Sequence, residues 1–357
     1  MYADLTTLCM HEANSFRAAI AHMDRSRLGI VLIVDEDRRL LGTITDGDVR
    51  RAILERTTLD QPVTGFLAQK AGTRYANPIT SSITAGQDAW LRVLQEHKIL
   101  HLPLLDEVQQ VVGLVAMEEF LPSRALPLQA VVMAGGQGSR LNPLTEDTPK
   151  PMLPVGDRPL MEIVIQQLRE AGIRQVKVST HHKPEKIAEY FGDGTNFGVD
   201  LSYVMEERPL GTAGGLGLLE VPKETTLVIN GDILTQMDFR AMLTYHKEHQ
   251  ADLTVAVRHY DVKVPYGVVE CEGPLVRRLS EKPVLEFFVN AGIYLLEPVV
   301  YGFIPNGQRY DMTDLIQCLL QHGRPVVSFP VREYWLDIGE REQYEQAQEA
   351  VKQWGVR

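Results

Sequence analysis

The chain has 357 residues, 44% hydrophobic and 23% charged, which is the composition of a folded globular protein and not of a disordered one. Its formal net charge of −11 argues against nucleic acid as the main partner, because binding a phosphate backbone ordinarily requires a basic face. Three widely separated cysteines argue against a disulfide framework or a zinc site. No apolar run approaches the roughly 18 residues of a membrane helix, and no targeting pattern opens the chain. We therefore expect a cytoplasmic protein of about two or three domains.

The first 120 residues contain a weak internal duplication, in which each copy reads helix, strand, strand, helix. The predicted elements are a helix at 15–23, strands at 29–34 and 40–44 and a helix opened by 45–48, then a helix at 87–97, strands at 99–105 and 111–115 and a helix from 117. Short strands interleaved with helices predict α/β units. We place the two copies at about 1–60 and 61–122, with a linker at 123–128.

From residue 129 onward, strands and helices alternate as in a doubly wound, mainly parallel sheet. The predicted helices are at 160–170, 184–191, 239–249 and 340–353, and the predicted strands at 130–134, 175–180, 226–230 and 251–257. The pattern predicts a further α/β domain over 129–357, with ligands bound at the carboxyl ends of its strands.

The most informative segment is the run V-M-A-G-G-Q-G-S-R-L-N-P-L-T-E-D-T-P-K-P-M-L-P-V at 132–155. Its three glycines follow a strand directly, where they allow backbone N–H groups to surround an anion. Arg140 adds a forked phosphate donor, and Lys150 adds a point charge between two prolines that restrict the backbone. A Gly-Gly-x-Gly turn alone is equally compatible with a structural hairpin. The run matches neither a dinucleotide-binding fingerprint nor a Walker loop.

As a whole, this run closely resembles the signature of sugar-1-phosphate nucleotidyltransferases, and the resemblance extends from about Gln129 to the C-terminus. That family has a Rossmann-like mixed sheet and makes NDP-sugars from an NTP and a sugar 1-phosphate, with Mg²⁺ and release of pyrophosphate. The resemblance implies that Arg140 and Lys150 act on the reacting phosphates. The implied nucleotide contacts are Ala134, Gly135, Gly136, Gly138, Ser139, Gly211, Thr212 and Asn230.

Two carboxylates match the metal ligands of that family. Asp232 follows an apolar strand in the run N-G-D, and Asp337 stands in the run W-L-D-I-G. Two carboxylates, phosphate oxygens and waters suit octahedral Mg²⁺, although an aspartate after glycine also commonly serves as a turn residue or helix cap. For the sugar 1-phosphate, the resemblance implies that Lys282 grips the phosphate. The matching sugar contacts are Tyr266, Gly267, Glu281 and Asn290.

Glu206 aligns with a position that often holds glutamine in the uridylyl- and thymidylyltransferases of this family. A carboxylate accepts hydrogen bonds and does not donate them, so it suits guanine, whose N1–H and N2 amino group offer two adjacent donors. Uracil offers one N3–H, flanked by carbonyl groups that would face the anion. The residue therefore favours GTP, with UTP or CTP, and a base contact from Glu207, as the alternatives.

The duplicated N-terminal unit resembles the paired CBS module. The resemblance depends on the run G-T-I-T-D-G-D-V at 42–49, in which Thr45 would contact phosphate or ribose and Asp48 would accept from ribose hydroxyls. The second copy has Ala116 and Glu119 in their places, so at most one well-formed nucleotide site is expected. The alternative is that Thr45 and Asp48 only cap the next helix. Such modules often regulate attached enzymes and often dimerise, which implies a regulatory nucleotide and a homo-oligomer.

The order of a CBS pair and a nucleotidyltransferase domain resembles the guanylyltransferases of bacterial legionaminic acid pathways and related fused guanylyltransferases. A sugar 1-phosphate is already anionic at neutral pH, because the second pKa of a phosphomonoester is about 6. The expected task of the protein is therefore to position and neutralise two repelling phosphates, without a general base. The sugar stays open: glucosamine, mannose, a heptose or another. A catalytically silent, nucleotide-sensing regulator is the alternative from another class, but a regulator need not keep metal ligands.

Overall fold

The computed structural model describes residues 1–26, 28–73, 76–120 and 126–354. The chain divides into two compact units, Met1–Arg124 and Ala125–Arg357. The predicted linker at 123–128 falls partly on residues 121–125, which lie outside the described residues. Among the helices that the structure describes, none has both the length and the apolarity needed to cross a membrane.

The N-terminal unit contains two three-stranded sheets and the helices that pack on them. Its helices are α1 (Leu5–Leu8), α2 (Phe16–Ser26), α3 (Asp46–Leu54), α4 (Val63–Lys70) and α5 (Gln87–His97), and its strands are β1 (Cys9–His11), β2 (Ile30–Val34), β3 (Leu40–Thr45), β4 (Ser81–Ser82), β5 (His101–Leu105) and β6 (Val111–Ala116). In the core of the first copy, the rings of Phe16 and Phe66 stack with their centroids 4.2 Å apart. This contact fixes α2 against α4.

The two sheets repeat one register, as a duplication would require. In each sheet the first strand is parallel to the second, and the second is antiparallel to the third. Ile33 pairs with Gly42 next to a bulge, and Leu104 pairs with Gly113 next to the equivalent bulge. The second copy departs from the prediction at its end, where the expected helix from Met117 is a short 3-10 helix, Met117–Phe120.

The described part of the C-terminal unit contains thirteen strands, seven of which form one mixed sheet. Its strands are β7 (Gln129–Met133), β8 (Pro154–Val155), β9 (Arg158–Pro159), β10 (Gln175–Thr180), β11 (Asp200–Met205), β12 (Thr226–Asn230), β13 (Ile233–Thr235), β14 (Leu253–Lys263), β15 (Val268–Glu272), β16 (Leu275–Ser280), β17 (Val284–Leu296), β18 (Val326–Pro330) and β19 (Trp335–Asp337). Its helices are α6 (Leu160–Ala171), α7 (Pro184–Phe191), α8 (Gly211–Gly214), α9 (Phe239–Glu248), α10 (Met312–Gln321) and α11 (Arg341–Gln353).

The large sheet has the strand order β11-β10-β7-β12-β17-β14-β18. Only β17 runs antiparallel to its neighbours within this sheet, so the predicted mainly parallel mixed sheet is confirmed. Both faces are buried: Val131 and Val228 belong to one hydrophobic cluster, and Val132 and Ile229 belong to the other. Burial on both faces explains why these strands are continuous apolar runs in the sequence.

The strand predicted at 251–257 is longer in the structure, because β14 continues beyond the large sheet. Its outer part, 258–263, pairs with 284–289 of β17 as a two-stranded ribbon whose residues are mostly exposed. The separate hairpin of β15 and β16 lies between these strands in the sequence. Exposed segments with mixed polarity carry little of the apolar pattern from which buried strands are predicted.

Candidate active site

Four neighbouring parallel strands, β11, β10, β7 and β12, end at one edge of the large sheet. In register, Met133 at the end of β7 lies between Ser179 and Asn230. The residues that follow these strand ends are therefore close together, as expected at the carboxyl edge of a parallel sheet. They include Ala134–Gly138, His181, Glu206 and Gly231–Asp232.

The glycine-rich loop after β7 is closed by contacts with the residues around Lys150. Gly138 has a φ of +65°, and a Cβ there would lie 2.9 Å from the Thr145 side chain and 3.0 Å from the Lys150 Cβ. Only glycine fits this position. The buried Thr145 hydroxyl donates to the Gly138 carbonyl at 2.8 Å, which holds the loop in shape. Of the other predicted loop residues, Ala134 is buried, Gly135 is half-buried, and Gly136, Ser139 and Arg140 are exposed.

Lys150 directs its ammonium group to this edge of the sheet. The residue is 8% exposed, and its Nζ lies 2.5 Å from Asp232 Oδ2. The other oxygen, Asp232 Oδ1, is buried and has no hydrogen-bond partner among the described residues. Buried acceptors are normally partnered, so this oxygen marks a position that a cation or a donor of a ligand fits.

The second predicted metal ligand, Asp337, lies next to the first. Strands β13 and β19 pair so that Ile233 is opposite Asp337, which places Asp337 beside Asp232. Desolvation of the carboxylate by neighbouring groups and the negative charge of Asp232 raise the pKa of Asp337 above its usual 3.8, although the residue as a whole is exposed. The positive charges of Lys150 and Arg140 act in the opposite direction. The two carboxylates thus share one electrostatic environment with two cations.

Arg140 reaches the same place from the glycine-rich loop. A Cβ on Gly339, two residues after Asp337, would lie 3.6 Å from Arg140 Nη1. The structure therefore brings together four residues that the sequence assigned to phosphates and metal. We call this group the edge cluster: Arg140, Lys150, Asp232 and Asp337.

Two predicted contacts, Asn230 and Asn290, also lie at this edge. Gly292 N–H donates to Asn290 Oδ1 at 3.0 Å, and a Cβ on Gly292, whose φ is +69°, would lie 2.7 Å from Asn230 Nδ2. The Asn230 Oδ1 atom is buried and lacks a hydrogen-bond partner within the described part of the chain. It is thus available to a donor on a ligand.

The remaining predicted sugar residues lie around the base of the exposed hairpin. A Cβ on Gly267 would lie 3.1 Å from Glu281 Oε2, while Tyr266 is 74% exposed. Lys282 lies in an exposed turn between β16 and β17, with a φ of +43°. Within the described residues, no hydrogen bond or ion pair joins Lys282 to Asp232. The contact of Lys282 with the sugar phosphate stays a prediction.

Glu206 is 8% exposed, and each of its carboxylate oxygens accepts one hydrogen bond. Oε1 accepts from the Ser179 hydroxyl at 2.6 Å, and Oε2 accepts from Leu210 N–H at 2.9 Å. A Cβ on Gly135 would lie 3.5 Å from Oε1, so the carboxylate lies beside the glycine-rich loop. Among the described residues no further donor bonds either oxygen, so each keeps one acceptor position. The alternative base contact, Glu207, is exposed.

Thr212 and Gly211, both predicted nucleotide contacts, are engaged with the start of α10. Thr212 N–H donates to Asp311 Oδ1 at 3.0 Å, and the Thr212 hydroxyl oxygen accepts from Met312 N–H at 2.8 Å. A Cβ on Gly211 would lie 2.4 Å from Asp311 Oδ1. These two groups of Thr212 therefore hold the start of α10, and the nucleotide contacts of Gly211 and Thr212 stay predictions.

In the N-terminal unit, Thr45 and Asp48 cap the start of α3, as the alternative interpretation predicts. Asp48 Oδ2 accepts from Thr45 N–H at 2.9 Å, and Asp48 N–H donates to the Thr45 hydroxyl at 3.3 Å. Asp48 is 2% exposed and pairs with Lys70 Nζ at 2.8 Å. In the second copy, Ala116 N–H donates to Glu119 Oε1 at 3.0 Å, so the bond to the acidic residue recurs, whereas alanine has no hydroxyl for the reciprocal bond. The nucleotide site at Thr45 and Asp48 stays a prediction.

Three residues of the C-terminal unit with clear roles were not predicted from the sequence. Thr145 closes the glycine-rich loop, Ser179 holds Glu206, and Asp311 holds Thr212. Ser179 had one usable signal, since it is a polar residue near the carboxyl end of a predicted buried strand. Asp311 had none, because its partner lies 99 residues away in the sequence.

Comparison with known proteins agrees with this geometry. The family model for nucleotidyl transferases matches residues 129–353, and the family model for the CBS domain matches residues 7–55. The chain is 34% identical over 241 residues to a UTP–glucose-1-phosphate uridylyltransferase of Synechocystis, covering 62% of each chain. It is 32% identical over 226 residues to a mannose-1-phosphate guanylyltransferase of Mycobacterium tuberculosis, covering 61% of this chain and 62% of that one.

A third relative is matched over nearly its whole length. The chain is 30% identical over 230 residues to a D-glycero-α-D-manno-heptose 1-phosphate guanylyltransferase of Aneurinibacillus thermoaerophilus, covering 63% of this chain and 99% of that one. By contrast, the chain spans about 62% of the length of the first two relatives. The family match itself covers well over half of this chain. The chain therefore belongs to the nucleotidyl transferase family and carries a CBS domain at its N-terminal end.

Proposed function

We propose that the chain transfers a nucleotidyl group from an NTP to a sugar 1-phosphate, giving an NDP-sugar and pyrophosphate. The observation that carries this proposal is the edge cluster, in which two cations and two carboxylates meet at the carboxyl edge of the sheet. The three relatives described above are named for nucleotidyl transfer to sugar 1-phosphates, which supports the same reaction class.

In this reaction, a phosphate oxygen of the sugar 1-phosphate attacks the α-phosphorus of the NTP. The bond from the α-phosphorus to the bridging oxygen breaks, and pyrophosphate leaves with that electron pair. The attacking oxygen is already anionic, so no proton has to be removed. The main barrier is repulsion between two polyanions, which Arg140, Lys150 and the loop N–H groups lower by neutralising charge. Lys282 is assigned to the attacking phosphate.

The carboxylates of the edge cluster fit a divalent cation. Asp232 Oδ1 is a buried acceptor without a hydrogen-bond partner among the described residues, and Asp337 stands beside it. Such oxygen donors suit Mg²⁺, so Asp232 and Asp337 would hold the ion. When bound, Mg²⁺ supplies further charge neutralisation to the phosphates. Lys150 contributes by fixing Asp232 through Oδ2, which leaves Oδ1 for the ion.

Glu206 supports GTP as the preferred nucleotide. Ser179 and Leu210 fix its carboxylate and leave one acceptor position on each oxygen. The N1–H and N2 amino donors of guanine match these two positions. Two of the relatives named above are guanylyltransferases, and one is a uridylyltransferase. UTP and CTP are the alternatives that the test below separates.

The proposal includes further parts of the molecule. Asn290 and the residues of the hairpin base are assigned to the sugar, whose identity stays open. The CBS domain is assigned a regulatory nucleotide. We also expect a homo-oligomer in the cytoplasm.

A matrix of four NTPs against several sugar 1-phosphates, read as released pyrophosphate with Mg²⁺, tests the reaction and the base together. We expect release with at least one sugar 1-phosphate, and GTP to exceed UTP and CTP. Glu206→Gln should lower the preference for GTP over UTP by roughly 10- to 100-fold, the usual value of a bidentate base contact. No release in any combination would contradict the reaction, whereas release with an unchanged base preference in Glu206→Gln would contradict only the role of Glu206.

A further inference from the structure

The segment that follows Glu206 is fastened to a distant part of the chain. Tyr310 N–H donates to the Leu210 carbonyl at 2.8 Å. The Tyr310 carbonyl accepts from Ala213 N–H at 3.0 Å and from Gly214 N–H at 2.8 Å. The N–H groups of Ala213 and Gly214 are therefore used within the protein, and these bonds fix the shape of the segment 210–214.

At this junction, the starts of two helices cap each other. Asp311 Oδ1 accepts from Thr212 N–H of α8, and the Thr212 hydroxyl oxygen accepts from Met312 N–H of α10. The two segments approach so closely that a Cβ on Gly211, whose φ is +80°, would lie 2.4 Å from Asp311 Oδ1. The side chain of Asp311 therefore holds the first turn of α8 against the start of α10.

The contacts continue from this junction to the carboxylate assigned to the base. Leu210 N–H, in the residue next to Gly211, donates to Glu206 Oε2 at 2.9 Å. We propose that Asp311 is a positioning residue for the nucleotide base: through Thr212 and Leu210 it holds Glu206 in the orientation that reads the base. This inference rests on the proposed function, in which Glu206 contacts the base.

The chain offers a matched control in the same helical turn. Asp314 Oδ2 accepts from Asp311 N–H at 3.1 Å, so its loss also weakens the start of α10. Within the described residues, no hydrogen bond joins the Asp314 side chain to 210–214, so Asp314→Ala weakens the helix without releasing the segment. Asp311→Asn keeps an acceptor oxygen for Thr212 N–H, whereas Asp311→Ala removes it.

The kinetic test compares these three variants with the unmodified chain. We expect Asp311→Ala to raise KM for the preferred NTP about tenfold and to reduce the preference for that NTP over the others, with KM for the sugar 1-phosphate unchanged within twofold. Asp311→Asn and Asp314→Ala should stay within twofold of the unmodified chain on all three measures. An equal rise in NTP KM for Asp311→Ala and Asp314→Ala would overturn the positioning role.

A second measurement does not depend on the activity. Amide hydrogen exchange in 208–214 should become faster in Asp311→Ala and stay unchanged in Asp314→Ala. Equal protection in both variants would overturn the inference, whatever the enzyme does. Failure of the proposed function shows instead as absence of pyrophosphate release in the unmodified chain, so the two failures are distinguishable.

Discussion

Each unit of the molecule contains a largely buried lysine–aspartate pair, and the two pairs differ at the aspartate. Lys70 Nζ lies 2.8 Å from Asp48 Oδ2, and Lys150 Nζ lies 2.5 Å from Asp232 Oδ2. The two lysine side chains are only 9% and 10% exposed. The difference lies in what the aspartates do with their remaining acceptor positions.

Asp48 has both of its oxygens occupied. Besides Lys70, Oδ2 accepts from Thr45 N–H, and Oδ1 accepts from Arg51 Nη2 at 2.7 Å. Burial alone would raise the pKa of Asp48, but Lys70 and the other donors outweigh it and hold the pKa below 3.8. In contrast, Asp232 Oδ1 has no hydrogen-bond partner among the described residues. A satisfied buried carboxylate indicates a structural role, and an unsatisfied one indicates a ligand.

Replacing each lysine by methionine separates the two roles most strongly. Lys150→Met should lower the rate of pyrophosphate release on the order of 10²–10³-fold, the usual cost of removing one electrostatic group from a reacting centre. Lys70→Met should leave that rate unchanged per folded molecule. It should lower the free energy of unfolding of the N-terminal unit by about 3 kcal/mol, because it removes one partner of a buried ion pair.

The measurements are steady-state pyrophosphate release and urea unfolding followed by circular dichroism. Lys150→Met should change the unfolding profile little, because Asp232 is more exposed than Asp48. If Lys70→Met were the slower enzyme, the comparison between the two pairs would be wrong.

The second prediction concerns the carboxylate beside Asp232. Asp337→Ala should raise the Mg²⁺ concentration for half-maximal pyrophosphate release by at least roughly tenfold, since even the partners of metal ligands affect affinity that much. Asp200→Asn, an exposed position at the start of β11, serves as the control and should not change it. An unchanged Mg²⁺ requirement in Asp337→Ala would remove this residue from the metal site.

A smaller effect is expected at the helix cap of the N-terminal unit. Thr45→Ala should lower the free energy of unfolding of that unit by about 1 kcal/mol, the usual value of an N-cap side chain. Thr45→Ser keeps the hydroxyl and should retain most of the stability. A loss of pyrophosphate release in Thr45→Ala, at unchanged stability, would instead favour the nucleotide role predicted for this residue.

The smallest effect is expected at a buried histidine, His246, whose two ring nitrogens both have partners. His246 is 1% exposed; its Nδ1 lies 2.7 Å from Thr254 Oγ1 and its Nε2 lies 3.0 Å from Glu297 Oε1. Burial lowers the pKa of His246 below its usual 6.5, and Glu297 offsets this only in part. The unfolded chain therefore takes up a proton first, so stability should decrease as pH falls through about 6.5.

Urea unfolding at a series of pH values measures this dependence. His246→Gln carries no titrating ring and should show a smaller decrease over the same range. The maximal rate of pyrophosphate release should not change with this substitution. The His246 network lies at the start of β12 and β14, away from the edge cluster at the carboxyl edge of the sheet. The same pH dependence in both proteins would assign it to other groups.

The elements predicted correctly are those whose signal is local. Helix α5 begins and ends at the predicted residues, Gln87–His97. Helix α7 also has its predicted bounds, Pro184–Phe191. Short strands such as β13 and β19 were not predicted, because three residues carry too little periodicity and gain their stability from each other. Their pairing is nevertheless what places Asp337 beside Asp232.

The same limit applies to the site. Lys150 and Asp232 were predicted from local runs and from the family resemblance, and the structure joins them. The resemblance assigned Thr212 to the nucleotide, but it identifies only the segment and not the bonds that the N–H and the hydroxyl of Thr212 make to the start of α10. Asp311 was not predicted, because its contact with Thr212 spans 99 residues and exists only in the folded chain.

The most direct test of the account is pyrophosphate release by the unmodified chain, Asp232→Asn and Asp48→Asn, measured side by side with the preferred NTP, a sugar 1-phosphate and Mg²⁺. Asp232→Asn should lose nearly all activity with its unfolding profile retained, whereas Asp48→Asn should lose stability and keep its rate per folded molecule. Full activity in Asp232→Asn would contradict the assignment of the edge cluster as the place where the phosphates react.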